Sequence, residues 1–122
     1  MKIRIKGNSI RYRLTRSEVE TFCHTGHFAE TTEFNDRKFT YAVKISETKT
    51  HMDAEFVDDT ITLIVPEAIC KGWNVNNQVG FEHTVTLDNG NTLFLLVEKD
   101  FVCMDETTED QSDNYPNPKA VC

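Results

Sequence analysis

Residues 2–14 form the stretch that most constrains the fold. Residues 2–6 and 10–14 each alternate basic with apolar side chains, and the phase of the alternation changes between them, beside Gly7. Period-2 alternation is typical of a half-buried strand, and a phase change at a glycine indicates a bulge that keeps the apolar side chains on one face. We therefore predict one bulged, central core strand with a basic face. Its apolar side chains are Ile3, Ile5, Ile10, Tyr12 and Leu14, and its cations are Lys2, Arg4, Lys6, Arg11 and Arg13.

Charge is distributed unevenly along the chain. The 122 residues carry a net charge of −7, from 20 acidic and 13 basic side chains. Residues 1–16 hold six of the bases and no acid, whereas residues 98–113 hold seven acids and one base. An acidic protein is poorly suited to general nucleic-acid binding, because neutralising phosphates requires a cationic surface.

The basic strand face is the first candidate site, with Arg4, Lys6, Arg11 and Arg13 as its binding residues. Guanidinium groups suit carboxylates and phosphates. If the sheet closes, these cations line a cavity for an anionic ligand, and if it stays open they form a solvated face. The candidate ligands are an anionic small molecule, a protein partner, or the chain's own acidic segment 105–113 folding back on Arg4, Arg11 and Arg13.

Helix and strand signals follow this stretch in a regular order. Thr15 and Glu18 form a capping box that begins a helix over 16–24, which ends at Gly26. Pro66 introduces a second short helix over 67–73. Alternating or β-branched segments predict strands over 27–34, 39–45, 52–56, 60–65, 79–87 and 92–97, and Asn89-Gly90 predicts a type I′ hairpin turn.

These elements predict an α+β fold with two short helices and a mostly antiparallel sheet of about seven strands, because most links between strands are short. We expect the sheet to be curled or barrel-like, with an open α+β sandwich as the alternative. The length predicts a single domain over 1–106. Residues 107–122 form an acidic, proline-containing C-terminal tail, either disordered or wrapped on the domain.

A second candidate site uses side chains of metal-binding types. In a tight hairpin around Asn89-Gly90, His83 lies close to Val97 or Glu98, one or two positions from Asp100. Thiolate, imidazole and carboxylate groups bind divalent metals such as zinc. In the structural alternative, His83 pairs with Glu98 across the strands, Cys103 packs in the core and the acids are solvated. The candidate ligands are His83, Asp100, Cys103, Asp105 and Cys122.

Location and chemistry are constrained mainly by what the sequence lacks. It has no signal-peptide pattern and no apolar run of membrane-span length, so we expect a cytoplasmic protein with reduced thiols and no membrane partner. It also has no P-loop, dinucleotide, G-x-S-x-G or HExxH motif. We therefore expect a non-catalytic binding or interaction domain. The alternative is a metal-binding protein, with a hydrolase as one form of it.

Three stretches carry a family resemblance: residues 3–11, 78–83 and 98–118. Together they resemble a family of small uncharacterised bacterial proteins, and the resemblance covers nearly the whole chain. It implies a bacterial, single-domain, cytoplasmic protein. It supplies no activity and no catalytic residues.

Overall fold

Eight strands and two helices form two facing sheets in the computed structural model, which describes residues 1–102 and 111–116. The strands and helices in chain order are β1 (Lys2–Lys6), β2 (Ser9–Leu14), α1 (Arg16–Thr25), β3 (His27–Glu33), β4 (Lys38–Ser46), β5 (Asp53–Val57), β6 (Thr60–Pro66), α2 (Glu67–Cys70), β7 (Gly80–Thr86) and β8 (Thr92–Lys99).

Each sheet is built from two antiparallel hairpins whose second strands pair in parallel. The first sheet has the order β1-β2-β8-β7, and the second has the order β3-β4-β6-β5. The parallel pairs are β2 with β8 and β4 with β6. The α+β class and the mostly antiparallel pairing are confirmed. The curled, barrel-like sheet is wrong, because the strands divide into two separate four-stranded sheets, and the strand count is eight instead of seven.

The predicted bulged strand is a hairpin. Gly7 and Asn8 form a two-residue loop between the paired residues Lys6 and Ser9, and Gly7 has a φ of 53°. A positive φ at the first loop residue is what a type II′ turn requires. The faces are nevertheless as predicted, because the register places Arg4 opposite Arg11 and the apolar side chains of both strands on the other side. Of the two strands, β2 is central and β1 lies at the edge.

Two further hairpin turns lie at Asp58-Asp59 and around Asn89-Gly90. Asp58 and Asp59 form the two-residue loop of the β5–β6 hairpin, with φ values of 52° and 58°. Positive φ at both loop residues defines a type I′ turn. The type I′ turn predicted at Asn89-Gly90 is wrong, because positive φ there is confined to Gly90, at 86°. The amide of Leu87 donates to the Asn91 carbonyl at 2.8 Å, which closes a longer loop.

The core lies between the two sheets. The Tyr12 hydroxyl crosses it and donates to the Ile61 carbonyl at 2.9 Å. Tyr12 is fully buried, and this burial raises the pKa of its phenol far above the usual range. Tyr41, from the opposite sheet, meets the Tyr12 ring edge-on and donates its hydroxyl to the Met1 carbonyl. These polar atoms therefore fix the offset of the two sheets while the rings fill the core.

The two helices cover the open end of the core. Helix α1 has the predicted capping box, and Gly26 ends it in a left-handed conformation. Its buried Phe22 packs edge-on against Trp73. Helix α2 is shorter than predicted, because it ends at Cys70 and a turn carries the chain to Trp73.

Gly80 permits a close backbone approach between β7 and β8. A Cβ atom at this position would lie 2.3 Å from the Val97 carbonyl oxygen, which belongs to the backbone and cannot rotate away. We expect Gly80→Ala to lower the free energy of unfolding by about 2 kcal/mol or more. Urea denaturation checks this, with Thr84→Ala, at an exposed position of the same strand, as the control. Equal stability of the two variants would contradict the steric argument.

Candidate functional site

The cations of the β1–β2 hairpin all lie on the outer side of the first sheet, away from the core. Cross-strand pairs share a face, so the register that joins Lys2 to Arg13 and Arg4 to Arg11 gathers them in one patch. We call this patch the basic face; its members are Lys2, Arg4, Lys6, Arg11 and Arg13. On the four strands of this sheet, the same side carries two carboxylates, those of Glu82 and Glu98. The strands therefore leave an excess of positive charge on this side.

Glu98 neutralises the inner half of the basic face. The parallel pairing of β2 with β8 places Glu98 beside Arg13. Its Oε1 accepts from Arg11 Nε at 3.0 Å and from Arg13 Nε at 2.8 Å. The Glu98 side chain is 14% exposed. One carboxylate thus holds two guanidinium groups in place, and one unit of positive charge remains uncompensated among these three side chains.

Arg4 and Lys6 line the outer half of the basic face. Among residues 1–102 and 111–116, neither side chain has an acidic group within ion-pair distance. Together with Arg11 they border a surface groove of about 380 Å³. Phe94 and Leu96, both half-buried, form its apolar floor. The groove therefore presents cations around a small apolar surface, which suits an anionic group attached to an apolar one.

Lys2 has a separate environment at the end of β1. Its Nζ lies 3.0 Å from Oδ2 of Asp100, which is buried. Asp100 also anchors the backbone, since its amide donates to the Leu14 carbonyl at 2.8 Å. Asp100 therefore holds the end of β2 against the end of β8.

The described part of the tail, residues 111–116, contacts the start of α1. Its one acidic residue, Asp113, binds the helix N-terminus: the amide and hydroxyl of Ser17 donate to its carboxylate. The Asp113 carbonyl accepts from the Arg16 amide at 2.9 Å. Hydrogen bonds from the Ser17 and Thr15 side chains hold the pKa of Asp113 below its usual range. The carboxylate of Asp113 thus caps the N-terminus of α1, whereas Arg11 and Arg13 are held by Glu98.

The hypothesis that residues 105–113 fold onto the strand arginines falls mostly on residues outside the described part of the chain. The division of the chain after residue 106 likewise stays a prediction, since residues 103–110 and 117–122 are not described.

A buried lysine anchors the tail, and sequence reasoning missed it. Lys99 is 5% exposed, and its Nζ donates to the Asn76 carbonyl at 2.8 Å. The ammonium lies 4.9 Å from the Tyr115 ring centroid and 5.8 Å from that of Trp73. Burial lowers the pKa of Lys99. The alternation of β8 was the available signal, because it places position 99 on the core side with Leu95 and Val97.

The predicted metal ligands are not brought together in the described residues. His83 lies opposite Leu95 on the core side of β7 and stacks on His51, with ring centroids 5.0 Å apart. The expected pairing of His83 with Glu98 is wrong, since Glu98 points to the other face. Asp100 lies five positions beyond Leu95, about 16 Å along an extended strand. Cys103, Asp105 and Cys122 lie outside the described residues.

A wider cleft lies between the end of α1 and α2. Its volume is about 680 Å³, and Cys23, Cys70, Glu47 and Glu67 are among its lining residues. Burial raises the pKa of both thiols, that of Cys70 to about 11. Both cysteines therefore stay protonated at neutral pH, which makes them weak nucleophiles and weak metal ligands. Within residues 1–102 and 111–116, no group of three or more histidine, cysteine or acidic side chains is arranged to hold a metal ion.

The fold and this surface define a class of protein: a small α+β domain of two facing sheets with a cationic outer face. The chain belongs to the family of unknown function DUF7009, whose model matches residues 1–119. The expectation of an uncharacterised family is thereby confirmed. No curated protein and no solved structure matches the chain. In the described part, no helix has the length and apolar character needed to cross a membrane.

The shared carboxylate of Glu98 gives a stability prediction. Glu98→Gln leaves Arg11 and Arg13 without their counter-charge, so we expect a loss of about 1–2 kcal/mol in the free energy of unfolding, since the pair is partly buried. Glu82→Gln, at an exposed position on the neighbouring strand, should change it by less than about 0.5 kcal/mol. Chemical denaturation of both variants checks this. Equal values would show that Glu98 is not the counter-charge we describe.

Asp113 gives a pH prediction. The pKa of Asp113 is lower in the folded protein than in the unfolded chain. Its contribution to stability is therefore complete above the unfolded value of about 3.9 and is lost as the pH falls through the folded value. Asp113→Asn should therefore lower the melting temperature at pH 7 and reduce its fall between pH 6 and pH 3. Thermal melts of this variant, the wild type and the loop variant Asp88→Asn test it. An unchanged pH profile in Asp113→Asn would contradict the capping role.

Proposed function

We propose that this protein is a non-catalytic interaction domain whose basic face binds an acidic segment of a protein. The observation that carries the proposal is the pair Arg4 and Lys6. These cations belong to a chain of net charge −7, yet they have no acidic partner among the described residues. Like charges held side by side on one hairpin repel each other, so a bound anion would relieve the repulsion.

The shape of the groove supports a segment with both acidic and apolar side chains. Arg4, Lys6 and Arg11 supply donors along its rim, and Phe94 and Leu96 supply apolar contact. Arginine forks bind carboxylates in two-point geometry, which gives direction as well as affinity. A partner with an apolar side chain beside a carboxylate would use both parts of the groove.

The overall charge favours an acidic protein segment over a nucleic acid as the partner. Nucleic acid binding depends on an extended cationic surface that displaces counterions from many phosphates. Here the basic face is confined to one short hairpin, and the rest of the chain carries 20 acidic and eight basic side chains. A segment of a few carboxylates matches that extent, whereas a polyanion would meet repulsion beyond it.

The proposal is tested by fluorescence anisotropy with a labelled ten-residue peptide of alternating glutamate and valine. The double variant Arg4→Gln/Lys6→Gln should bind about tenfold more weakly, because each exposed ion pair contributes up to about 1 kcal/mol. Glu98→Gln should bind more tightly, because it raises the charge of the same face. Lys44→Gln, on the exposed face of β4, is the matched control and should bind like the wild type.

Two further arms identify the partner class. Raising the salt concentration should weaken peptide binding, since exposed charges are screened. A single-stranded oligonucleotide of ten bases should compete poorly. If the oligonucleotide binds more tightly than the peptide and loses affinity in Arg4→Gln/Lys6→Gln, the partner class is wrong. If the double variant binds the peptide like the wild type, the basic face is not the binding surface.

A further inference from the structure

Two edge strands of the molecule have complementary sequences. In the described part of the chain, β1 pairs with β2 alone and β5 pairs with β6 alone, so each has one open edge. The outer side of β1 carries Lys2, Arg4 and Lys6, and the outer side of β5 carries Asp53 and Glu55. Exposed apolar side chains accompany both strands, with Ile5 55% and Phe56 69% exposed. An open strand edge of this kind is a template for pairing with another strand.

The backbone of β1 offers hydrogen bonds at its open edge through Ile3 and Ile5. The Asn8 carbonyl accepts from the Phe94 amide of β8 at 3.0 Å, and the Leu14 carbonyl accepts from the amide of Asp100, just after β8, at 2.8 Å. Alternate residues of a strand face opposite neighbours, so Ser9, Arg11 and Arg13 face β1. The backbone amides and carbonyls of their partners Lys6, Arg4 and Lys2 therefore point toward β2. The amides and carbonyls of Ile3 and Ile5 therefore point away from the sheet.

The same reasoning turns the backbone of Ala54 and Phe56 away from β6, and the Ala54 amide there donates to the Asp53 carboxylate at 2.8 Å. The Asp59 carbonyl, just before β6, accepts from the Thr40 amide at 3.0 Å, so the backbone at Asp59 faces β4. Thr60 and Thr62 then face β5, opposite Val57 and Glu55.

The two edges are equivalent in handedness. In both strands the residues with outward side chains are those whose backbone faces the hairpin partner. For L-residues this relation fixes the side of the open edge when each strand is viewed from its outer face along its N-to-C direction. Two equivalent edges can pair antiparallel with their outer faces on the same side of a continuous sheet, as two copies of one edge do about a two-fold axis.

We propose that β1 of one copy of this protein pairs antiparallel with β5 of a second copy. The pairing rests on the proposed function, since it names the acidic segment that the basic face receives. Residues that exchange hydrogen bonds lie directly opposite in an antiparallel pair. Ile3 then faces Phe56 and Ile5 faces Ala54 of the second copy. In the same register Arg4 lies opposite Glu55, Lys6 lies opposite Asp53, and Lys2 lies opposite Val57.

Charge selects this pairing over pairing of identical edges. Two β1 edges would bring Arg4 against Arg4 and Lys2 against Lys6 in the corresponding register, and two β5 edges would bring Glu55 against Glu55. Like charges directly opposite each other destabilise strand pairs. Because the contact joins two different surfaces, a pair of copies still has one open β1 edge and one open β5 edge. The assembly therefore grows head to tail, into a ring or an open chain.

Charge exchange tests the pairing on the full-length protein by sedimentation velocity, over concentrations up to about 1 mM because a single strand pair makes a small, weak interface. Arg4→Glu and Glu55→Arg should each weaken association at least about tenfold, since each places like charges opposite. The double variant Arg4→Glu/Glu55→Arg should associate again, and so should an equimolar mixture of the two single variants. Lys44→Glu, away from both edges, should associate like the wild type.

Hydrogen exchange measured by NMR adds a readout specific to the backbone. On association the amides of Ile3, Ile5 and Phe56 should exchange more slowly. The amide of Arg4, already paired with β2, should change little. Thermal melts of each variant confirm that it is folded before its association is compared.

Each outcome decides the pairing. A monomeric wild type at the highest concentration, or association that survives either single reversal, overturns it. Failure of the double variant and of the mixture to associate also overturns it, provided their melts match that of the wild type. If the glutamate–valine peptide binds the basic face while the wild type stays monomeric, the proposed function stands and the self-association falls. If neither occurs, both fall.

Discussion

The parallel pairing of β2 with β8 is the constraint on which the surface features of this protein depend. It joins the first hairpin of the chain to the last, and the Asp100 amide secures it by donating to the Leu14 carbonyl. The pairing brings Glu98 beside Arg11 and Arg13, although more than 80 residues separate them in the chain. It also occupies one edge of β2, so β1 must take the other and end the sheet. The basic face and its open edge therefore follow from one long-range strand pair.

The second sheet repeats this arrangement with the opposite charge. The β5–β6 hairpin pairs in parallel with β4 as the β1–β2 hairpin pairs with β8, and both hairpins close with two-residue loops whose first residue has positive φ. At equivalent edges one strand carries Arg4 and the other carries Glu55. Although the net charge is acidic, the charge is therefore unevenly distributed, with cations and carboxylates on separate, equivalent edges. Local charge distribution, more than net charge, determines which partners such a surface admits.

Several parts of this architecture followed from local sequence signals. The capping box at Thr15 and Glu18, the left-handed end of α1 at Gly26 and the β5–β6 hairpin were all predictable, because each depends on a few adjacent residues. The errors arose where neighbouring residues allow two geometries. Gly7-Asn8 suits a bulge and a hairpin loop alike, and both keep the cations on one face. At Asn89-Gly90 the sequence favours a type I′ turn, whereas the strand register, from Thr86 opposite Thr92, requires a longer loop.

The alternation of residues 2–14 by itself determined a basic face opposed to an apolar one, because side chains of a strand alternate whatever its neighbours are. It could not determine the partner of that face. Strand order depends on contacts between residues distant in the chain, and these placed Glu98 against Arg11 and Arg13. The same contacts turned His83 toward His51 and buried Lys99 between Trp73 and Tyr115. Tertiary structure alone decided which charges are neutralised and which strand edges are open, because both depend on strand order and register.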